Sequence, residues 1–314
     1  PGNYIVALAA DADYVWIAAE SGGLARFDLQ NEHFEILSVR NPDSGQPLNA
    51  WALTVDGDVL WVGTRDSGLY ALDRVHPERV RDHWHNDASP ESGRRLPLRS
   101  IRDIAVDSAR QGYWAAGIGG LAFIDWDSGK VHTDALVSID RKRIDADVAS
   151  VYSAADGTVW LGLRGDGVMR RRPGESGFTA VATGTGTTDP LLVNRLTATP
   201  SGLLAAATDR GLYLYQTVCD CFKPVQSTTP QRRMLGNALM LSVLGDGDVI
   251  WAGSWNRGLF RFDPQAADFD LLTPSDLGGR DAPMSPRSLF VDRSNRLWIG
   301  SFGAGARYAE IAPT

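Results

Sequence analysis

The sequence predicts an all-β fold, a seven-bladed β-propeller of four-stranded antiparallel blades, and three observations predict it. A phrase typified by Trp-Ala-Gly-Ser-Trp-Asn-Arg-Gly-Leu-Phe-Arg-Phe-Asp, from Trp251 to Asp263, recurs seven times. Successive copies start 45, 53, 46, 44, 47 and 47 residues apart, and a period in the forties with several short strands per unit marks a propeller. No stretch carries the sustained 3.6-residue apolar period that a helical repeat of similar length needs.

The copies fall at 16–28, 61–73, 114–125, 160–172, 204–216, 251–263 and 298–310, so one domain spanning 1–314 is expected. Each copy reads as a hairpin. A Trp-led strand, with Leu204 standing in for Trp in the fifth copy, runs to a turn containing Gly, as at Gly258. Gly adopts a positive φ there without a Cβ clash, and an apolar return strand follows. Upstream lies an alternating strand (5–11, 50–56, 101–107) that ends in Asp, Gly or Asn, as at Asp56-Gly57-Asp58. Downstream lies a short strand such as 34–37, 178–181 or 269–272. Each blade is therefore expected to hold an innermost strand, the Trp strand, the return strand and a variable outer strand. The small residues two places after the Trp position (Ala18, Gly63, Ala116, Gly162, Gly253, Gly300) leave room for the neighbouring blade to interdigitate. Inserts at 86–98, 135–146, 184–192 and 274–283 are expected to cross between blades on a binding face.

After the seventh return strand the chain runs only to Thr314. The last blade is therefore expected either to be closed by a strand cut away before Pro1 or to keep three strands. With no Met and no signal peptide at Pro1, the chain reads as excised from a longer receptor.

Composition excludes several functions. The 314 residues carry a net charge of −7, whereas a nucleic-acid binder needs a basic footprint against phosphates. The basic runs at 93–95, 141–143 and 230–233 lie between strand patterns and read as solvated loops. No apolar run approaches ~18 residues, so membrane attachment is expected only through segments outside this chain.

Little in the sequence looks catalytic. Cys219 and Cys221 form a Cys-Asp-Cys element that is read first as structural or incidental, with a disulfide or a metal site as open alternatives. His83 and His85 share one face of an outer strand, a possible metal pair, but a solvated surface is the preferred reading. No nucleophile elbow, phosphate loop or zinc-protease motif occurs. No catalytic residue, metal or cofactor is expected.

The expected site is the mouth of a central channel, where two sets of residues converge. Loops between the Trp strand and its return strand supply Arg65, Arg164, Arg210, Trp255, Asn256, Arg257 and Phe302, with Glu20, Asp66, Asp166 and Asp209. The starts of the innermost strands supply Trp51, Arg99, Arg195 and Arg287, with Asn3, Tyr4, Asn49, Asp147, Asn194 and Asn237. Aromatic rings stack on the apolar faces of sugars while fixed polar groups set orientation. For any one polar residue, an ordinary turn or rim role is the stronger reading. Trp255 and Trp51 are the exceptions, because a large aromatic in a turn has little structural purpose. Among the seven copies, Trp255, Asn256 and Arg257 depart from the shared phrase.

The phrase Trp-(Ile/Val/Leu)-Gly-(Thr/Ser)-x-x-x-Gly-Leu-x-x-(Phe/Leu)-Asp, carried best by 61–73, 251–263 and the copy from Trp298, resembles the two-component regulator propeller repeat. A polar residue ahead of the innermost strand (Asn3, Asn49, Asn194, Asn237) fits the same pattern, and the likeness covers essentially the whole chain. That resemblance implies the extracytoplasmic, periplasmic ligand-sensing part of a bacterial signalling receptor with a histidine kinase or diguanylate cyclase output, and members that bind oligosaccharides. Family members often carry a second propeller, an immunoglobulin-like domain, a transmembrane helix and an output domain, none of which is in this sequence. The expected function is therefore non-enzymatic sensing of a small polar ligand such as an oligosaccharide. The alternative is a protein-interaction scaffold or dimerisation propeller, pairing with a second propeller or a second copy of the chain. The third reading is a propeller lyase, which would need a His at the channel mouth where none is expected.

Overall fold

A computed structural model describes residues 3–20, 23–42, 44–133, 146–184, 191–225, 238–265, 268–272 and 284–311. It divides into two compact units, one holding residues 7–161 and 169–180, the other 3–6, 162–168 and 181–314. The inserts at 135–146, 184–192 and 274–283 fall almost entirely outside the described residues, as do Asn237 and the basic runs at 141–143 and 230–233.

The described residues form 27 strands and no α-helix. The first three sheets are β1 (Ile5–Ala10), β2 (Tyr14–Ala19), β3 (Gly23–Asp28) and β4 (His33–Leu37); β5 (Ala50–Asp56), β6 (Val59–Thr64), β7 (Leu69–Asp73) and β8 (Val80–Trp84); β9 (Ser100–Asp107), β10 (Gly112–Ile118), β11 (Gly120–Asp125) and β12 (Val131–His132). Next come β13 (Val148–Ser153), β14 (Val159–Leu163), β15 (Gly167–Arg171) and β16 (Thr179–Thr183), then β17 (Val193–Ala198), β18 (Leu204–Thr208), β19 (Gly211–Gln216) and β20 (Cys221–Pro224). The chain ends in β21 (Met240–Asp246), β22 (Val249–Ser254), β23 (Gly258–Asp263) and β24 (Asp268–Leu272), and in β25 (Pro286–Val291), β26 (Arg296–Ser301) and β27 (Gly305–Glu310).

Each predicted hairpin occupies the second and third strands of its group. The groups are not seven separate sheets. β16 and β20, both outer edge strands, pair in parallel at Ala182–Cys221 and Thr183–Phe222, so the fourth and fifth groups join in one eight-stranded sheet. Open edge donors and acceptors drive the pairing: the Gly184 amide adds a hydrogen bond to the Phe222 carbonyl at 2.8 Å. The last group has three described strands, β25–β27.

The repeat phrase has a physical reason at each place. The Gly that opens every return strand (Gly23, Gly68, Gly120, Gly167, Gly211, Gly258, Gly305) has a positive φ. The Ser or Thr that ends the Trp strand locks this turn from inside: Thr64, Thr208 and Ser254 donate their hydroxyls to the carbonyls of Gly68, Gly211 and Gly258 at 2.7, 2.8 and 3.0 Å. Asp at the end of the innermost strand does more than turn the chain. It accepts the indole N–H of the Trp strand at Trp16–Asp11, Trp114–Asp107, Trp251–Asp246 and Trp298–Asp292, at 2.9, 2.7, 3.2 and 2.9 Å. A buried indole would otherwise leave its donor unsatisfied.

In the first unit, Trp61, Trp84, Ile101, Ile104, Tyr113 and Ile124 form one apolar core. In the second, Leu212, Met240, Val243, Ile250 and Phe260 form another, and Trp251, Leu259, Leu297 and Ile299 a third. These cores lie between successive sheets, so Trp strands such as β22 are buried on both faces rather than alternately. The small-residue expectation holds at atomic scale. A Cβ on Gly63 would stand 2.5 Å from Ile101 Cγ2, and one on Gly253 would stand 2.4 Å from the Pro286 carbonyl oxygen.

Candidate functional site

The innermost strands share a feature that aims side chains. In five of them the register shifts at the same place, leaving one extra residue against the Trp strand. The extra residues are Trp51, Arg102, Asn194, Leu241 and Arg287. A bulge redirects its residue away from the ladder. Three of these residues were expected from the sequence. Arg102 was missed, although aligning 100–104 with 49–53 places it opposite Trp51.

Of the two expected sets, Arg65 is joined to Asn49, and the same backbone contact recurs in other repeats. Within a repeat, the backbone N–H just after the Trp strand donates to a carbonyl just before the innermost strand. This holds for Arg65–Asn49, Asp209–Leu192, Trp255–Leu239 and Phe302–Ser285, at 3.0, 3.0, 2.8 and 3.0 Å. Arg164 bridges to Leu192, and the Arg99 amide donates to Ile118.

In the first unit these residues form a ladder of charge and ring. Trp51 lies in β5, not in a turn. Arg65 and Arg102 place their guanidinium carbons 4.8 and 5.6 Å from its ring centre. Arg65 pairs with Glu20 at 2.7 Å, and Arg102 pairs with Asp147 at 2.7 Å. Asn49 donates to Asp66 at 3.2 Å. The Trp51 ring is thus a cation–π centre whose cations are themselves held by carboxylates.

In the second unit the arrangement is open. Tyr4 bridges to Phe302 in the backbone, and their rings meet edge to face at 4.8 Å. The Trp255 ring packs tilted on Phe302 at 5.7 Å. The Asn3 carbonyl accepts the amides of Gly303 and Gly305, fixing the loop beneath. Tyr4 is 48% exposed, Trp255 43% and Leu239 38%. Two large aromatic rings, Tyr4 and Trp255, are therefore open to solvent while packed on a half-buried Phe302, which is uncommon for side chains of this size.

Some expected polar residues have structural partners. Asn256 adopts a positive φ, and its amide and side-chain oxygen both bond the Ser285 hydroxyl, at 3.0 and 3.1 Å. Asn194 is buried and donates to the Met240 carbonyl at 2.7 Å. Arg210 lies 3.8 Å from Asp209. Arg164, Arg195 and Arg257 are exposed, and Arg287 is half-buried. His83 and His85 do share a face, but their rings stack on each other at 4.5 Å, and His83 also stacks on Tyr70 at 3.9 Å. The His83 ring bonds the Ser67 carbonyl through Nε2. Cys219 and Cys221 are joined in a disulfide, which decides among the three readings left open by the sequence.

No family model matches the chain, and no curated protein matches it. Solved structures do. The chain is similar to the extracellular domain assigned to a hybrid two-component system, BT3049, of B. thetaiotaomicron: 20% identity, TM-score 0.76, covering 100% of this chain and 40% of that one. It is similar to the extracellular domain of BT4673 from the same organism at 14% identity and TM-score 0.76, covering 100% of this chain and 39% of that one. It is also similar to YCF48 bound to D1 peptide, at 14% identity and TM-score 0.73, covering 100% of this chain and 94% of that one. The chain thus has the fold found in extracellular domains of signalling systems and spans about two fifths of their length. Among the described residues no helix is long and apolar enough to cross a membrane.

Proposed function

We propose that this chain is a seven-bladed propeller belonging to the two-component regulator propeller group. In this reading it is the extracytoplasmic, non-enzymatic ligand-sensing part of a bacterial receptor, and it binds a small polar ligand such as an oligosaccharide. Its signal arises from a shift between packing states that the ligand favours unequally, not from chemistry. The observation that carries the reading is the Tyr4–Phe302–Trp255 group, in which Tyr4 and Trp255 are exposed and both pack on a half-buried Phe302 held by backbone hydrogen bonds. The fold likeness to extracellular domains of two-component systems supports a sensing role in general. Arg257 and Arg287 are among the polar candidates in the same unit.

The test is a thermal-shift screen of glycans and small metabolites, since a specific ligand stabilises the native state by mass action. Hits are followed by calorimetry on Trp255→Ala. Binding should weaken about tenfold or more, with the melting temperature almost unchanged. Unaltered affinity for every hit would overturn the site.

A second reading, a protein-interaction scaffold, has its own support. YCF48, which this chain matches over nearly its whole length, is seen bound to a peptide. The outer strand β4 also carries Phe34 and Ile36 exposed at 43% and 60% on one face.

A further inference from the structure

We propose that the Cys219–Cys221 disulfide is a thiol–disulfide exchange site, opened by an external dithiol, and that it tethers the seam where β16 meets β20. This inference is independent of the sensing reading.

The location argues against a plain staple. The bond closes a ring of only three residues, so it removes little entropy from the unfolded chain. It stands in an exposed turn: Val218 is fully exposed, and Cys219 and Asp220 are exposed beside it. Exposed disulfides of low stabilising value are the ones that exchange readily. The ring also holds Asp220 at φ 50°, a left-handed conformation that L residues seldom adopt. Opening the ring lets that residue relax.

The two sulfurs are unequal, and this sets the direction of attack. Cys219 faces solvent, whereas Cys221 is 6% exposed and begins β20. An external thiolate attacks Cys219 Sγ, forms a mixed disulfide there and expels Cys221 as a thiolate. The expelled Cys221 thiolate then takes up a proton from solvent. The second thiolate of the external dithiol then attacks the external sulfur of the mixed disulfide and releases Cys219. The dithiol leaves as a disulfide, and two electrons and two protons reside on Cys219 and Cys221.

The structural consequence follows from what Cys221 touches. It pairs with Gln216 in β19 on one side and with Ala182 in β16 on the other. The bare backbone of Gly184 lies beside its sulfur, where a Cβ would come within 3.9 Å of Cys221 Sγ. The parallel pairing covers only two residue pairs, so it depends on the position of Cys221 more than a longer ladder would. Reduction removes the constraint at one end of that short seam.

The test uses the whole chain under native conditions. It is equilibrated in a series of reduced-to-oxidised dithiothreitol ratios, thiols are trapped by alkylation and counted by mass spectrometry, and amide exchange is followed over 181–184 and 221–223. The expected result is complete reduction with near-ultraviolet circular dichroism preserved, and about tenfold faster exchange at the seam. The double variant Cys219→Ser, Cys221→Ser should show the same fast exchange without reductant. If that variant fails to fold, the reduced wild-type chain decides. A bond that stays oxidised until the chain unfolds overturns the exchange site. A bond that reduces while seam exchange stays constant overturns the tether.

Discussion

Trp51 belongs to the first unit and Trp255 to the other; both are aromatics singled out from the sequence, yet the structure treats them oppositely. Trp51 is the extra residue of a bulge, and its ring is met by two guanidinium groups, each held by a carboxylate. Trp255 follows the end of a Trp strand, touches Phe302 and leaves 43% of its surface open. One ring is already occupied by its own protein; the other is not. An aromatic outside the core therefore has to be judged by what covers its faces, not by its presence in a loop. By that criterion Trp51 is first a structural and electrostatic centre, and Trp255 is the stronger ligand candidate.

The comparison can be broken by measurement. The largest effect is expected from Trp51→Ala, which removes a half-buried ring and two cation–π contacts. Denaturant unfolding should show a loss of about 2 kcal/mol. A loss under about 0.5 kcal/mol would mean that the ladder is ornamental and that Trp51 belongs with Trp255. Next comes Trp255→Ala, where binding of a screened ligand should weaken by about 1.4 kcal/mol, one decade in Kd. Stability there should move by no more than about 0.5 kcal/mol, as for other surface positions. Arg102→Met keeps the stem against the ring and deletes the charge, leaving Asp147 without its guanidinium. It should cost about 1 kcal/mol, discounted for partial exposure, and the loss should shrink when Asp147→Asn is added. Independent, additive losses would sink the ladder as a unit.

The smallest effect is electrostatic and lies in acid. Arg81, together with the amides of His76 and Val75, holds the Asp73 carboxyl at about 2, below its ordinary value of 3.8. A carboxylate depressed on folding contributes stability that is complete above its unfolded pKa and is lost as pH falls through the folded one. Asp73→Asn should therefore flatten the stability profile between about pH 4 and pH 2 and leave it unchanged near neutrality apart from a constant offset. Asp292, buried between Arg296 and Trp298 in the second unit, is lowered too, its hydrogen bonds outweighing its burial. Parallel titrations of Asp73→Asn and Asp292→Asn would show which unit yields first to acid.

Much of this protein was legible because its repeat is a local code. Gly258 needs a positive φ whatever surrounds it, and Gly253 must be small wherever a neighbouring sheet packs on it. The strand pairs of every hairpin are therefore readable from a dozen residues. The Ser254 hydroxyl and the Asp292 carboxylate were less legible. Their spacing was visible, but turn chemistry explained them well enough to hide their second jobs at the Gly258 carbonyl and the Trp298 indole. Arg102 was hidden because a bulge cannot be read from apolar alternation. A one-residue shift in register sends a side chain to a different face.

By itself, the sequence determined the seven hairpins and their turns, since each depends on contacts a few residues away along the chain. Only the folded structure decided that β16 and β20 share a seam, that Cys219 and Cys221 are bonded, and that Trp51 is met by Arg65 and Arg102 while Trp255 stays open. Apart from the disulfide, which closes within one turn, these outcomes rest on groups brought together from different repeats or left uncovered by them. The phrase common to all seven copies is silent about both.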